Sequence, residues 1–271
     1  MRKLIRVLAV ILSVILAGTG LYSRFFPKPK PQTIAPEAPA VTTPVPQEER
    51  QSTNIPVREA PPTDQVSETA RKITDNDTVP FIVQAPNAQW GNPIFQDGCE
   101  EASMLMAMDW IKGTKSVSAT EAAAAITKLA AFETENLGHY EDVSLREVVS
   151  VLEGYFDYDR AVLLEDITLI DIRRNLDDGN IMLVPTFGQA LHNPNYTAPG
   201  PVTHMLVITG YDPEKREFIV NDPGTRRGKD YRYDEDLLYE AIWVYPAGKT
   251  HPPVPAPADR QKSVIVIHPV S

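Results

Sequence analysis

The only cysteine of the chain, Cys99, stands in Asp97-Gly98-Cys99-Glu100-Glu101-Ala102-Ser103-Met104-Leu105, where a polar turn runs into a helix-forming stretch. The N-terminus of a helix carries unpaired N–H groups and about half a positive charge, which stabilise a thiolate and lower a cysteine pKa below its free value of about 8.5. Such a thiolate could attack a carbonyl carbon. Free cysteine is also among the most buried residue types, so Cys99 taken alone is either a nucleophile or a small core residue. Glu100 and Glu101 would oppose a thiolate if they faced it, but on a helix they can point away. Of the five histidines, His204 alone opens a clear strand, Met205-Leu206-Val207-Ile208-Thr209, and the strand after it ends in the turn Asn221-Asp222-Pro223-Gly224. A histidine and a carboxylate so placed suit a general base and the group that orients it. Asp222 before Pro223 is equally a good plain turn residue.

The elements that must hold these residues fall into two blocks. Helices come first. The stretch from Cys99 or Glu100 to Lys112 is apolar on several faces, as in a buried helix. Ser118-Ala119-Thr120-Glu121 and Ser144-Leu145-Arg146-Glu147 have the form of capping boxes and predict helices over 119–131 and 145–153. A further helix is expected over 168–178, ended by Gly179. Strands are then expected over 180–186, 204–211, 217–221, 241–245 and 263–268, rich in Val and Ile and separated by Gly, Pro and Asp. Helices followed by a largely antiparallel sheet make an α+β domain. The irregular loop Gly188 to Pro201, directly before His204, is either a lip of a substrate cleft or a solvated insertion.

Ahead of this domain the chain changes character twice. Arg2, Lys3 and Arg6 precede an uncharged apolar run, Val7 to Ser23, the pattern of an export signal or of an uncleaved anchor. Residues 1–26 are read in this way, with the folded part then outside the cytoplasm, tethered to the membrane or secreted. Residues 27–78 hold ten of the 25 prolines and few apolar residues, and are expected to form a solvated, disordered linker. The folded domain is placed at 79–271. The chain's net charge of -10 argues against nucleic-acid binding. No metal-ligand spacing or phosphate-binding glycine loop is present, and no cofactor is expected.

Four islands occur in order: Val79-Pro80-Phe81-Ile82-Val83-Gln84, then Gly98-Cys99-Glu100-Glu101-Ala102-Ser103, then His204-Met205-Leu206-Val207-Ile208-Thr209-Gly210-Tyr211, then Val220-Asn221-Asp222-Pro223-Gly224. They resemble the successive signatures of the papain-like cysteine peptidases related to bacteriocin-processing enzymes, cysteine peptidase family thirty-nine. The resemblance implies a papain-like fold, a helical half packed on a mainly antiparallel sheet. It also implies roles: Cys99 as nucleophile, His204 as general base and Asp222 as its orienting partner, with Asn221 the competing residue. Gly98 would allow the tight turn before the cysteine, and Gln84 would donate its amide to an oxyanion, with Gln89 and Gln96 as rival donors. The activity implied is hydrolysis of a peptide or amide bond through a thioester, in a peptide or cell-wall substrate. A domain that binds such material without turnover, or an acyltransferase using the same site, are the alternatives.

Overall fold

The computed structural model of the protein describes residues 79–248 and 253–270. The expected export or anchor segment and the proline-rich linker lie outside the described residues. Among the described residues no helix is long and apolar enough to cross a membrane.

A short helix α1 (Pro93–Gln96) leads into α2 (Cys99–Ile111), followed by α3 (Ala119–Leu137) and α4 (Leu145–Phe156). Strand β1 (Ala161–Leu164) and α5 (Leu169–Asp177) then precede β2 (Ile181–Phe187), β3 (Thr203–Asp212), β4 (Glu217–Asn221), β5 (Tyr231–Asp234), α6 (Glu235–Ala241) and β6 (Val264–Ile267). Both predicted capping boxes form, with Ser118 and Glu121 at α3 and Ser144 and Glu147 at α4 each bonding the other's backbone. A third, Thr168 with Asp171, starts α5. Helix α3 runs well past the expected end to Gly138, which adopts the left-handed conformation that stops it.

The six strands form one antiparallel sheet in the order β1-β6-β2-β3-β4-β5. Both of its faces are covered. Ile181 and Leu183 of β2, Met205 and Val207 of β3, and Ile265 and Ile267 of β6 pack with the helices α2 to α4. The alternate residues Met182, Val184, Leu206, Ile208, Val264 and Val266 pack on the other side with Ile172 of α5 and Leu238 and Ala241 of α6. Burial on both faces is why these strands read as unbroken apolar runs rather than as alternating ones. The domain is therefore α+β as expected, with a second, thinner helical layer behind the sheet.

One expected strand, 241–245, is corrected. Ala241 ends α6, and the chain beyond it makes one bridge, Ile242 to Thr186, and a bond from Trp243 N–H to Pro185 O. Strand β6 pairs with β2 at Ile181, Met182 and Leu183 and no further, so a short gap on that edge is all that 242–243 can fill. Strands β1 and β5 and the helices α1 and α6 were not expected. Each is short, at seven residues or fewer, and gives little periodic signal.

Two fully buried acids meet where α2 packs on α3. Glu101 and Glu133 face each other, and neither carboxyl has a hydrogen-bond donor beside it unless one of them is protonated. Burial and mutual repulsion push Glu101 up strongly, and burial, with the neighbouring acids, pushes Glu133 to about 8. Buried Glu235 is the contrast: Arg173 and Arg216 bond it and hold it below the usual range despite its burial. A carboxyl raised in the folded state stabilises most below its unfolded value of about 4.5, and that contribution is lost as pH rises through the folded value. The domain should thus lose thermal stability between about pH 5 and 9, by a few kcal/mol at about 1.4 kcal/mol per pK unit. Glu133→Gln, whose amide can donate to Glu101, should flatten that fall in a thermal-unfolding series. An equal slope in both proteins would count against the shared proton.

Candidate active site

Hydrogen bonds draw the four sequence islands together. The Gln84 backbone N–H donates to Pro223 O at 3.0 Å, and Asn221 Nδ2 donates to Val79 O at 3.1 Å, so the first island lies along the last. Ser103 Oγ donates to Met205 O at 3.3 Å, which docks the second turn of α2 on the start of β3. His204 Nε2 meets Asp222 Oδ1 at 2.9 Å, joining the third island to the fourth. Cys99 and His204 face one cavity of about 870 Å³, which is also lined by Gln84, Trp90, Asp142 and the loop ahead of β3. The helix thus brings the sulfur, and the sheet the imidazole, to one side of the molecule.

Cys99 is the first residue of α2, as the turn-to-helix pattern requires. Gly98 before it does not adopt a special conformation; its φ of -83° is open to any residue. What it supplies is room, because a Cβ there would lie 2.8 Å from the Ile94 carbonyl oxygen. The thiol itself departs from expectation. Its S–H donates at 2.9 Å to Glu100 Oε2, and Tyr245 O–H donates at 2.6 Å to the other carboxylate oxygen. Burial pushes the Cys99 pKa well up, the Glu100 charge and hydrogen bond push it further, and a hydrogen bond with the Met205 backbone works the other way. The lowered thiol pKa expected from the helix N-terminus is therefore corrected: at 6% exposure, desolvation and an adjacent acid outweigh the dipole. Of the two glutamates after the cysteine, Glu100 turns onto the sulfur and Glu101 turns away to Glu133.

Asp222 is the most heavily bonded side chain of the site. Besides His204, its Oδ1 accepts from Gly224 N–H at 3.0 Å. Its Oδ2 accepts from Tyr196 O–H at 2.6 Å, Tyr233 O–H at 2.7 Å and Asn193 Nδ2 at 3.2 Å. Burial favours the acid form, yet the imidazole and the two phenols outweigh it and keep the carboxyl below the usual range. An ionised carboxylate only accepts, so the proton between the two residues sits on Nε2 and leaves Nδ1 as the nitrogen able to take another. The Tyr196 ring stands edge-on to the imidazole, with centroids 5.6 Å apart. Gly224 leaves the space for both rings: a Cβ there would lie 2.9 Å from His204 Cε1 and 3.0 Å from Tyr196 Cε1.

The rival of Asp222, Asn221, is fully buried and otherwise engaged, donating to Val79 O and accepting from Asp230 N–H. Gln84 lines the cavity, but its amide donates to Gln96 O at 2.8 Å and Phe95 O at 3.2 Å, and its Oε1 has no partner. Both N–H bonds are spent on α1, so in this arrangement the side chain braces the turn before Cys99 rather than offering a donor to the cavity. Gln96 also lines the cavity, whereas Gln89 does not. Asn193, Tyr196 and Tyr233 were not foreseen individually. The first two come from the long loop before His204, so that loop does line the cleft, from Pro194 to Pro201.

A helical half packed on an antiparallel sheet, with the cysteine at a helix start and the histidine at a strand start, is the papain-like cysteine peptidase fold. The chain matches the Peptidase_C39 like family over residues 76–250, and it belongs to that family. A crystal structure from Bacillus anthracis, of a protein assigned provisionally to the C39-like peptidases, is similar at 16% sequence identity with a TM-score of 0.45, covering 71% of this chain and 96% of that one. No curated protein sequence matches the chain. Family membership favours cysteine peptidase chemistry.

Proposed function

We propose that the protein is a cysteine peptidase or amidase in which Cys99, His204 and Asp222 act together. The observation that carries this is the buried, ionised Asp222 fixing a histidine that faces the same cavity as the one cysteine. In the reaction, the thiol proton passes to His204 Nδ1 as sulfur attacks the carbonyl carbon of the substrate. The imidazolium then protonates the leaving amine as the C–N bond breaks, giving a thioester that water hydrolyses with the same histidine as base. Asp222 fixes the ring with Nδ1 as the free nitrogen and stabilises the imidazolium. The backbone N–H of Cys99, at a helix start, is a donor for the oxyanion. No cofactor enters these steps. The basic and apolar N-terminal run supports an extracytoplasmic site of action, with peptide or cell-wall material as substrate and the membrane as attachment.

A second reading, a binding domain without turnover, draws support from Glu100, which opposes the thiolate. A peptide carrying an electrophilic carbonyl or alkyl group separates the two. On the enzyme reading it adds to Cys99 as one covalent mass increment, and His204→Ala slows the addition strongly; a reaction equally slow in both proteins would favour the silent domain.

A further inference from the structure

The carboxylate against the nucleophile has no part in the chemistry above, and its setting is built rather than incidental. Glu100 is fully buried, and its two oxygens are taken by the Cys99 thiol at 2.9 Å and the Tyr245 phenol at 2.6 Å. Tyr245 arrives from the short extended segment after α6, a separation of 145 residues from Glu100. It is itself buried and has this carboxylate as its hydrogen-bond partner. A carboxylate held so firmly next to a thiol has two effects of opposite sign. Ionised, it accepts the S–H bond and makes a second anion 2.9 Å away costly in a dry site. Protonated, it becomes a donor whose O–H can bond a thiolate.

We propose, on the reading that Cys99 is the nucleophile, that Glu100 gates it as a further catalytic residue: its anion holds the thiol protonated, and its acid form hydrogen-bonds the thiolate and releases it for attack. The balance is one proton. Thiol, carboxylate and neutral imidazole take up one proton from solvent and become thiolate, carboxylic acid and imidazolium; the S–H bond breaks, an N–H bond forms at His204 Nδ1 and an O–H bond forms on Glu100. Total charge, counting the added proton, is unchanged, so the competent form places no net charge in the buried cluster beyond that of Asp222.

The groups that face Glu100 set where this happens. The charged and titratable groups that act on it are Cys99 and, from its far side, Glu101 on α2, Glu133 on α3, Asp142 on the loop between α3 and α4, and Tyr245 after α6. Burial raises Glu100 to about 7, Asp142 raises it too, and the bonds from Cys99 and Tyr245 lower it. Reactivity is thus expected to fall as pH rises through about 7, the reverse of an isolated thiol, whose reactivity grows with pH.

The chain has one cysteine, so alkylation by iodoacetamide reports on this site alone. The full chain, Glu100→Gln and Tyr245→Phe are each alkylated across about pH 5 to 8.5. The wild type should slow as pH passes about 7. Glu100→Gln, uncharged and still a donor, should show no such fall and should react about 10-fold faster or more at pH 8, the effect of removing one adjacent charge worth a pK unit or more. Tyr245→Phe removes a bond that favours the carboxylate, so its fall should move to higher pH. Identical profiles in wild type and Glu100→Gln would overturn the gate. Should Glu100→Gln fail to fold, an unmoved profile in Tyr245→Phe overturns it and a shifted one supports it. Alkylation needs no turnover, so a gated thiol that cleaves no peptide would sink the peptidase reading and leave the gate standing.

Discussion

Cys99→Ala is expected to abolish hydrolysis, lowering kcat by about 10⁴-fold or more while leaving the melting temperature close to that of the wild type. The sulfur is the only atom in the proposed reaction that bonds the substrate carbon, and nothing near it can substitute. The fold should change little, because the side chain is small, bonded to Glu100 and the Met205 backbone at the edge of the core, and alanine fits the same space. Cys99→Ser should be almost as damaging, since a hydroxyl is too weak an acid to be activated in a site arranged for a thiol. His204→Ala should fall into the same range, and the double variant should be no worse than either alone, because residues that act as a unit do not add. Steady-state turnover of a peptide substrate alongside thermal unfolding checks all four. Residual activity above about a hundredth of wild type in Cys99→Ala would remove the cysteine from the mechanism.

Asp222→Ala should do something different: lose activity and stability together. Five donors converge on this carboxylate, from His204, Gly224, Tyr196, Tyr233 and Asn193. An alanine leaves them facing an empty buried space, at about 1 to 3 kcal/mol for each group that cannot re-pair. Several such losses are a large share of a domain's whole stability, so the loop that carries Asn193 and Tyr196 should detach or the domain unfold. Asp222→Asn keeps the shape but turns one accepting oxygen into a donor pointed at donors. It should fold less stably and lose about 10²- to 10⁴-fold in kcat, the range for a mis-set histidine tautomer. A melting temperature unchanged in Asp222→Ala would show that the cage is not holding the loop.

The same carboxylate sets the acid limit. Its folded pKa lies below the ordinary 3.8, so its contribution is present above that value and is lost as pH falls through the folded one. Glu101 and Glu133 act in the opposite sense, losing their contribution as pH rises. The domain is therefore expected to be most stable in mildly acidic solution. That is also where a protonated Glu100 would release the thiol, so stability and reactivity share a pH range.

What could be read from sequence here is what depends on neighbours in the chain. A helix beginning at Cys99, the two serine capping boxes, and the apolar strands after Asn180 follow from turn chemistry, caps and burial that act within a few residues. The order of the four islands pointed to Cys99, His204 and Asp222; Cys99 and His204 line one cavity, and Asp222 lies buried behind the imidazole, bonded to its Nε2. Long-range choices were not legible in the same way. Asn221 and Asp222 are adjacent, and successive residues in an extended chain point to opposite sides, so their roles depend on the register of β4 against β3. That register shifts between Ile208 and Gly210, an irregularity no local rule predicts. Gln84 has a side chain suited to an oxyanion, but α1 folded beneath it and took both N–H bonds. The thiol's environment was decided most completely by tertiary structure. The helix N-terminus favours a thiolate by a local field, whereas the burial of Cys99 and the anchoring of Glu100 by a tyrosine 145 residues away come only from packing. In a dry interior those two outweigh the dipole, because an unscreened charge at hydrogen-bond distance acts more strongly than partial charges spread over a helix end.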